Sequence, residues 1–375
     1  MYNPVTMSRC LNRRNFIKLA GSALAASALP APLRALAQGG LPPEDLNPDA
    51  FVAVGRGRVL APSVTVWDRI ETPHAAVKRY LRGDILLLGE ERVVPGTGSA
   101  YNNLWYRARG GWAHSGWIQP MAFHDRPAVY REVGPNGFWV EVIEPTTATR
   151  EAPSLAAESR YDYAYGTVYL VTEIAAEAGG LVWYRTYDEY YDKELGIEPT
   201  HHWVRADHVR RIHESEFAAI RPEAADKRIR VDLKAQRLAC FEGEAEVLST
   251  KVATGAAFTQ ADGSLVNYGT PQGEHRAILK MPSRHMRAIE AERSTDAWFD
   301  LPGVPWNTFF TLDGIAIHGT YWHNDYGVVR SHGCVNVPIV VAKFIYRWTF
   351  PTAPYTDAFV RGDVRGMNST QIEVV

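Results

Sequence analysis

From residue 228 onward, apolar and polar positions alternate in long runs. Ile229, Val231 and Leu233 are separated by charged or polar neighbours, the period-two pattern of a half-buried strand. Residues 238–241 and 247–252 read as two more strands, with Glu242-Gly243-Glu244 as the turn between them. Cys240 falls in the first of these and is expected to be a small buried core residue. Further on, Val341, Phe344, Ile345 and Trp348 recur at helical spacing. Pro338 suits a first helical turn, so a packing helix is expected there, ending before Pro351. Gln371–Val375 reads as a closing strand.

Upstream the runs are shorter, and they repeat weakly over residues 51–213. Leu104-Trp105-Tyr106-Arg107 is echoed by Val182-Trp183-Tyr184-Arg185. A second Trp follows each block, at Trp117-Ile118 and Trp203-Val204, each expected on an apolar strand. Glycine opens an apolar run before each, at Gly83 (residues 83–88) and Gly166 (residues 166–171). Short alternating runs cut by turn residues predict small all-β barrels. The order of motifs resembles bacterial SH3-like domains, two in tandem, at 51–122 and 138–213, the second with an insertion over 187–200. That resemblance implies contact with glycan strands or packing on a catalytic domain. No binding residue is singled out there, because Trp and Tyr in such strands are more often core. The stretch 214–227 reads as a linker that could hold a short helix. The fold class expected is therefore mainly β.

The first residues carry a different pattern. Arg13 and Arg14 precede Phe16, a mildly apolar run follows to Leu29, and Ala35-Leu36-Ala37 ends it. A basic start, a short apolar centre and a small-residue end describe a signal peptide over 1–37, and the paired arginines resemble a twin-arginine signal. The expected destination is the periplasm or cell-wall space, with membrane contact only during export. Cys10 would leave with the signal, so no lipid anchor is indicated, and 38–50 reads as a flexible linker.

Composition narrows the chemistry. Among 375 residues the formal net charge is −2, which gives no basic field for nucleic acid. Three cysteines, Cys10, Cys240 and Cys334, are too few for a disulfide scaffold and form no CxxC pair. Cys334 is expected to act as a free thiol.

Residues 311–336 read TLDGIAIHGTYWHNDYGVVRSHGCVN. A short apolar strand delivers His318, then Gly319, and Cys334 follows 16 residues later within Ser331-His332-Gly333-Cys334-Val335-Asn336. A thiol with an ordinary pKa is only a few per cent thiolate at neutral pH, so an adjacent imidazole is needed to take its proton and later return it. Gly319 and Gly333 would let backbone approach the reacting carbonyl. Backbone N–H groups of Gly333 and Cys334 could hold an oxyanion. The second imidazole nitrogen must be fixed by a backbone carbonyl or by a residue elsewhere, since Gly319 has no side chain.

This segment resembles the L,D-transpeptidase catalytic domain (YkuD-type), whose signature is a His, a variable loop, then Ser/Thr-His-Gly-Cys, an apolar residue and Asn or Arg. The likeness spans about 228–375 and includes Thr270-Pro271, Gly273 and the stretch 301–306. It implies a β-sandwich-like domain with a packing helix, acting on peptidoglycan stem peptides. Cys334 would be the nucleophile and His318 the base, with His332 and Gly333 completing the catalytic set. Gly319, Tyr321, Trp322, Arg330, Ser331 and Asn336 would be substrate-side residues, Ser331 more structural and Asn336 a brace. No metal or cofactor is implied, and carbapenems are expected to acylate Cys334. His323 reads as an exposed loop histidine. The rival readings are a carboxypeptidase using water as acceptor, a non-catalytic wall-binding protein, and a metal hydrolase. The last is disfavoured because the spacing of His318, His323, His332 and Cys334 matches no common zinc pattern.

Overall fold

The computed structural model describes residues 51–375 except 178, 189–199, 260–261, 289–297 and 363–367. The signal peptide, its linker and most of the 187–200 insertion lie outside the described residues.

The first β unit runs through β1 (Gly55–Val59), β2 (Ser63–Trp67), β3 (Ala76–Leu81), β4 (Ile85–Leu88), β5 (Glu91–Val93), β6 (Leu104–Ala108), β7 (Gly111–His114) and β8 (Ile118–Met121). Its sheets have the orders β4-β1-β8 and β3-β2-β7-β6-β5. They close on Val59, Val66, Leu86, Leu88, Tyr106 and Ile118, where alternation turns every second side chain inward. The second unit contains β9 (Phe138–Val142), β10 (Thr146–Ala148), β11 (Asp162–Ala164), β12 (Val168–Ala176), β13 (Val182–Asp188), β14 (Thr200–Arg205) and β15 (Val209–Arg211). Its main sheet is ordered β14-β13-β12-β9-β15.

The two units share a plan, but in a different register from the one the sequence suggests. Arg107 pairs with Trp112 across β6–β7, and Arg185 pairs with Trp203 across β13–β14. Trp203 therefore corresponds to Trp112, not to Trp117. Each hairpin is followed by a 3-10 turn, Ser115–Trp117 or Ala206–His208, and a last strand that pairs back on the first. Trp117 lies in that turn rather than on a strand, and is 37% exposed. Gly83 and Gly166 both adopt positive φ, 87° and 80°, ahead of β4 and β12.

The third part holds β16 (Lys227–Asp232), β17 (Arg237–Glu242), β18 (Ala245–Lys251), β19 (Ala257–Thr259), β20 (Leu265–Asn267), β21 (Gly273–Arg276), β22 (Leu279–Arg287), β23 (Asp300–Phe309), β24 (Ala316–Thr320), β25 (Val335–Pro338), α1 (Ile339–Trp348), β26 (Val360–Arg361) and β27 (Gln371–Val374). Two five-stranded sheets, β18-β17-β16-β27-β21 and β25-β24-β23-β22-β26, enclose a core with Ile229, Val231, Leu238, Cys240, Ile317 and Ile372. The expected mainly-β, sandwich-like class with one packing helix holds. Pro338 is the last strand residue and the N-cap of α1, one position outside the helix. The C-terminal end of α1 is closed by the Lys227 ammonium, which donates to the Trp348 carbonyl at 2.9 Å. The 214–227 stretch holds a short 3-10 turn, Glu214–Glu216, and ends on the first residue of β16, and its Glu216 pairs with Lys343 of α1 at 2.6 Å.

The second unit is seated firmly on the third part. A Cβ on Gly303, whose φ is +65°, would fall 2.3 Å from the Tyr169 ring, so only glycine allows this approach. At the same contact, buried His285 lies between two carboxylates, with Nδ1 2.8 Å from Asp188 and Nε2 2.5 Å from Asp300. Burial alone would lower its pKa, but the two carboxylates outweigh that and lift it to about 9.

Candidate active site

The site is built where β24 and β25 run parallel. Ile317 pairs with Val335 and His318 with Asn336, so Cys334 enters the sheet opposite Ala316. The Ala316 N–H donates to Cys334 Sγ at 3.4 Å, and Sγ lies 4.0 Å from the Gly314 carbonyl. Cys334 is partly exposed, while Cys240 is buried in β17. His318 is 2% exposed and sits inside β24 rather than at its end, because the strand continues to Thr320.

The imidazole is fixed by its own neighbour, His318 Nδ1 lying 3.2 Å from the Gly319 carbonyl. A carbonyl only accepts, so Nδ1 carries the proton and Nε2 is the basic nitrogen. Burial, opposed by that hydrogen bond, lowers His318 to about 4. Burial also raises the Cys334 thiol to about 11, against the Ala316 N–H, and the Asp313 carboxylate pushes the same way as burial. The resting pair is therefore neutral thiol and neutral imidazole. No hydrogen bond joins them among the described residues.

The Ser331–Asn336 segment is held by residues 253–255, which the sequence pattern does not mark, and by Thr270, which the family likeness includes. Ala253 exchanges both backbone hydrogen bonds with Asn336, at 3.0 and 2.9 Å. Thr254 C=O accepts from the N–H groups of Arg330 and Ser331 at 2.8 and 3.0 Å. The Thr270 hydroxyl accepts from Gly255 N–H at 3.0 Å and donates to the Gly333 carbonyl at 2.7 Å. Gly255 must be glycine, since a Cβ there would lie 2.0 Å from the Tyr268 carbonyl. Gly333 has φ of +107°, a conformation that a side chain disfavours.

Several expected substrate-side residues face inward instead. Tyr321 is buried and its hydroxyl donates to the Pro302 carbonyl at 2.9 Å. Arg330 is committed to an ion pair with Asp325, and its guanidinium lies 4.8 Å over the Trp117 ring. Ser331 Oγ donates to the Cys334 carbonyl and accepts from Gly333 N–H at 3.2 Å, so that N–H is not available to an oxyanion. Gly319 serves packing, because a Cβ would stand 3.0 Å from Ile339 Cα and 3.1 Å from Pro305 Cγ. Asn336 braces the motif through its backbone, and its amide lies 3.0 Å from His323 Nε2.

His323, expected to be an exposed loop residue, is 4% exposed, and burial lowers its pKa to about 3. Its Nδ1 lies 3.3 Å from the Asp325 N–H and its Nε2 3.0 Å from Asn336 Nδ2, so the ring is held between two N–H donors. Trp322 stays half-buried with its ring centroid 5.7 Å from that of His318. His332 stacks on Phe258 at 4.1 Å and packs against Tyr268 and Phe299, each at 4.8 Å. It thus belongs to an aromatic cluster two residues before Cys334. The described residues hold no group of three or more metal-ligating side chains placed to bind an ion.

A partly exposed thiol and a backbone-fixed imidazole on adjacent parallel strands of a β-sandwich define a site of the thiol–imidazole class. Residues 226–356 match the family model of the L,D-transpeptidase catalytic domain, YkuD, and this part of the chain is such a domain. No curated protein matches the chain. Among solved structures, it is similar to an L,D-transpeptidase from Xylanimonas cellulosilytica, at 18% identity and a TM-score of 0.29, over 42% of this chain and 63% of that one. The catalytic domain of an Enterococcus faecium L,D-transpeptidase matches at 22% identity and a TM-score of 0.28, over 40% of this chain and 97% of that one. A Mycobacterium smegmatis L,D-transpeptidase matches at 15% identity and a TM-score of 0.30, over 55% of this chain and 99% of that one. The chain spans 63%, 50% and 51% of the first three solved chains it matches.

Proposed function

We propose that this protein is an exported L,D-transpeptidase of peptidoglycan, with Cys334 as nucleophile and His318 as base. The observation that carries the reading is the partly exposed Cys334 thiol at the start of β25, the strand that runs parallel to the one carrying His318, whose imidazole is fixed through Nδ1. As Sγ attacks the carbonyl between the third stem residue and the terminal D-alanine, its proton passes to His318 Nε2. The S–C bond forms, the C–N bond breaks, and the same proton leaves on the D-alanine amine. A thioester remains on Cys334. An amine of a second stem then attacks it, gives its proton to His318, and releases the sulfur, which takes that proton back. Because thiol and imidazole both rest neutral, the proton moves as the S–C bond forms rather than beforehand.

Arg13, Arg14 and the Ala35-Leu36-Ala37 end support delivery to the cell-wall space. Glycan strands are the further partner proposed for the SH3-like units. Trp105, Trp112, Trp139, Trp183 and Trp203 are buried there and Trp67 is half-buried, so Trp117, 37% exposed, is the most open indole for that contact.

The test is incubation with a tetrapeptide stem, with and without a second stem as acceptor. D-alanine release and a cross-linked product are expected, both lost in Cys334→Ala, together with a carbapenem adduct on Cys334 in the intact protein. Release without cross-linking would make the protein a carboxypeptidase. Release that survives Cys334→Ala would overturn the mechanism.

A further inference from the structure

The loop between His318 and Cys334 is gripped from outside its own domain. The Asp325 side chain is 3% exposed, accepts from Asn102 Nδ2 at 3.2 Å and from the Tyr101 hydroxyl at 3.1 Å, and pairs with Arg330. Beside it, Asn324 donates through Nδ2 to the Tyr106 hydroxyl at 2.9 Å and to the Ser115 carbonyl at 3.3 Å, and through its N–H to the Gly116 carbonyl at 3.0 Å. Gly116 makes room for this approach, since a Cβ there would lie 2.8 Å from Asp325 Oδ1. Tyr101, Asn102, Tyr106, Ser115 and Gly116 all belong to the first β unit.

From Asp325 the contacts continue inward to the chemistry. Its N–H reaches His323 Nδ1, His323 Nε2 faces the Asn336 amide, and Asn336 pairs with His318 across β24–β25, two residues past Cys334. A buried carboxylate with three donors cannot turn away without stranding them, so the loop keeps its shape only while the first unit is docked.

We propose that Asp325 is a positioning residue for the Cys334–His318 pair, and that the first β unit holds it in place through Tyr101 and Asn102. The inference rests on the reading of that pair as the reacting groups. It makes the first unit a working part of the active site in addition to its proposed contact with glycan strands.

The test uses the full chain and an exchange of partners. Asn102→Asp sets a second carboxylate against Asp325, whereas Asn102→Asp combined with Asp325→Asn restores one amide facing one carboxylate. D-alanine release gives kcat and KM. Iodoacetamide alkylation of Cys334, located by peptide mapping, reports on the thiol whatever the natural substrate. The single variant is expected to lower kcat by about tenfold with KM within about twofold, and to change the Cys334 alkylation rate by at least about threefold. The double variant is expected to bring both within about threefold of wild type.

A single variant with unchanged kcat and alkylation overturns the proposal. So does a double variant that regains thermal stability but neither rate. If Asn102→Asp fails to fold, Tyr101→Phe removes one donor only, and full activity in that variant overturns the proposal equally. A wild type that releases no D-alanine defeats the peptidoglycan reading, and alkylation alone then decides the positioning claim.

Discussion

Replacing His285 by Gln should remove a pH-dependent tie between the second unit and the catalytic part. In the folded protein the imidazolium is flanked by Asp188 and Asp300, and its pKa stands at about 9 instead of 6.5. A histidine raised in this way stabilises the fold fully below pH 6.5 and loses that contribution as pH rises through about 9. The gap, at about 1.4 kcal/mol per pH unit, corresponds to about 3 kcal/mol. Solvent takes little from that figure, because the His285 side chain is 2% exposed. Urea unfolding of wild type and His285→Gln at pH 6, 8 and 10 measures it. Groups common to both proteins, such as His318 and His323, cancel in the difference. The stability gap between the two is expected to shrink by about 3 kcal/mol from pH 6 to pH 10, most of it above pH 7. A gap that stays flat, or widens as pH rises, refutes the reasoning.

Two further outcomes test the site's construction. Thr270→Val removes a buried hydroxyl that serves Gly255 and Gly333 together. It should cost about 1–3 kcal/mol in a thermal or urea melt and lower kcat, with Thr270→Ser recovering most of both. Alkylation of Cys334 should keep accelerating from pH 7 to beyond pH 9, because burial holds its thiol near 11, while Cys240 stays unreactive in the folded protein. A Cys334 rate already level below pH 7 would mean a preformed thiolate–imidazolium pair.

Much of the catalytic part was legible because its signals are local. Period-two alternation marked Ile229, Val231 and Leu233, and helical spacing marked Val341, Ile345 and Trp348, all of which face the core. The Ser331–Asn336 motif and His318 were legible by type and spacing. What each side chain touches was not. Tyr321, Arg330 and Ser331 are polar residues near Cys334 in sequence, and sequence cannot tell a group aimed at substrate from one spent on Pro302, Asp325 or the motif's own backbone. The same limit hid His323, whose burial depends on Asn336 and Tyr326 closing around it. The repeat was legible, but its register was not. A Trp five residues after Arg107 and one ten residues after it look alike until the β6–β7 hairpin shows which of them faces the arginine.

The distant contacts bear on where the active site ends. The matched domain covers residues 226–356, yet the loop between His318 and Cys334 is closed by side chains from 101, 102 and 106 and by the turn at 115–116. Asn324 and Asp325 are buried polar residues, and in the catalytic part alone they would lose the donors and acceptors that offset their desolvation. The second unit is bound to the same part by a different device, the His285 pair of carboxylates and the glycine contact at 303. The two attachments therefore differ in kind. One is keyed to the protonation of His285 and sits beside β22 and β23, the other is a set of hydrogen bonds directly on the loop between His318 and Cys334. Raising pH toward 10 should loosen the second unit first and leave the grip on Asp325 in place, so that stability falls before kcat does.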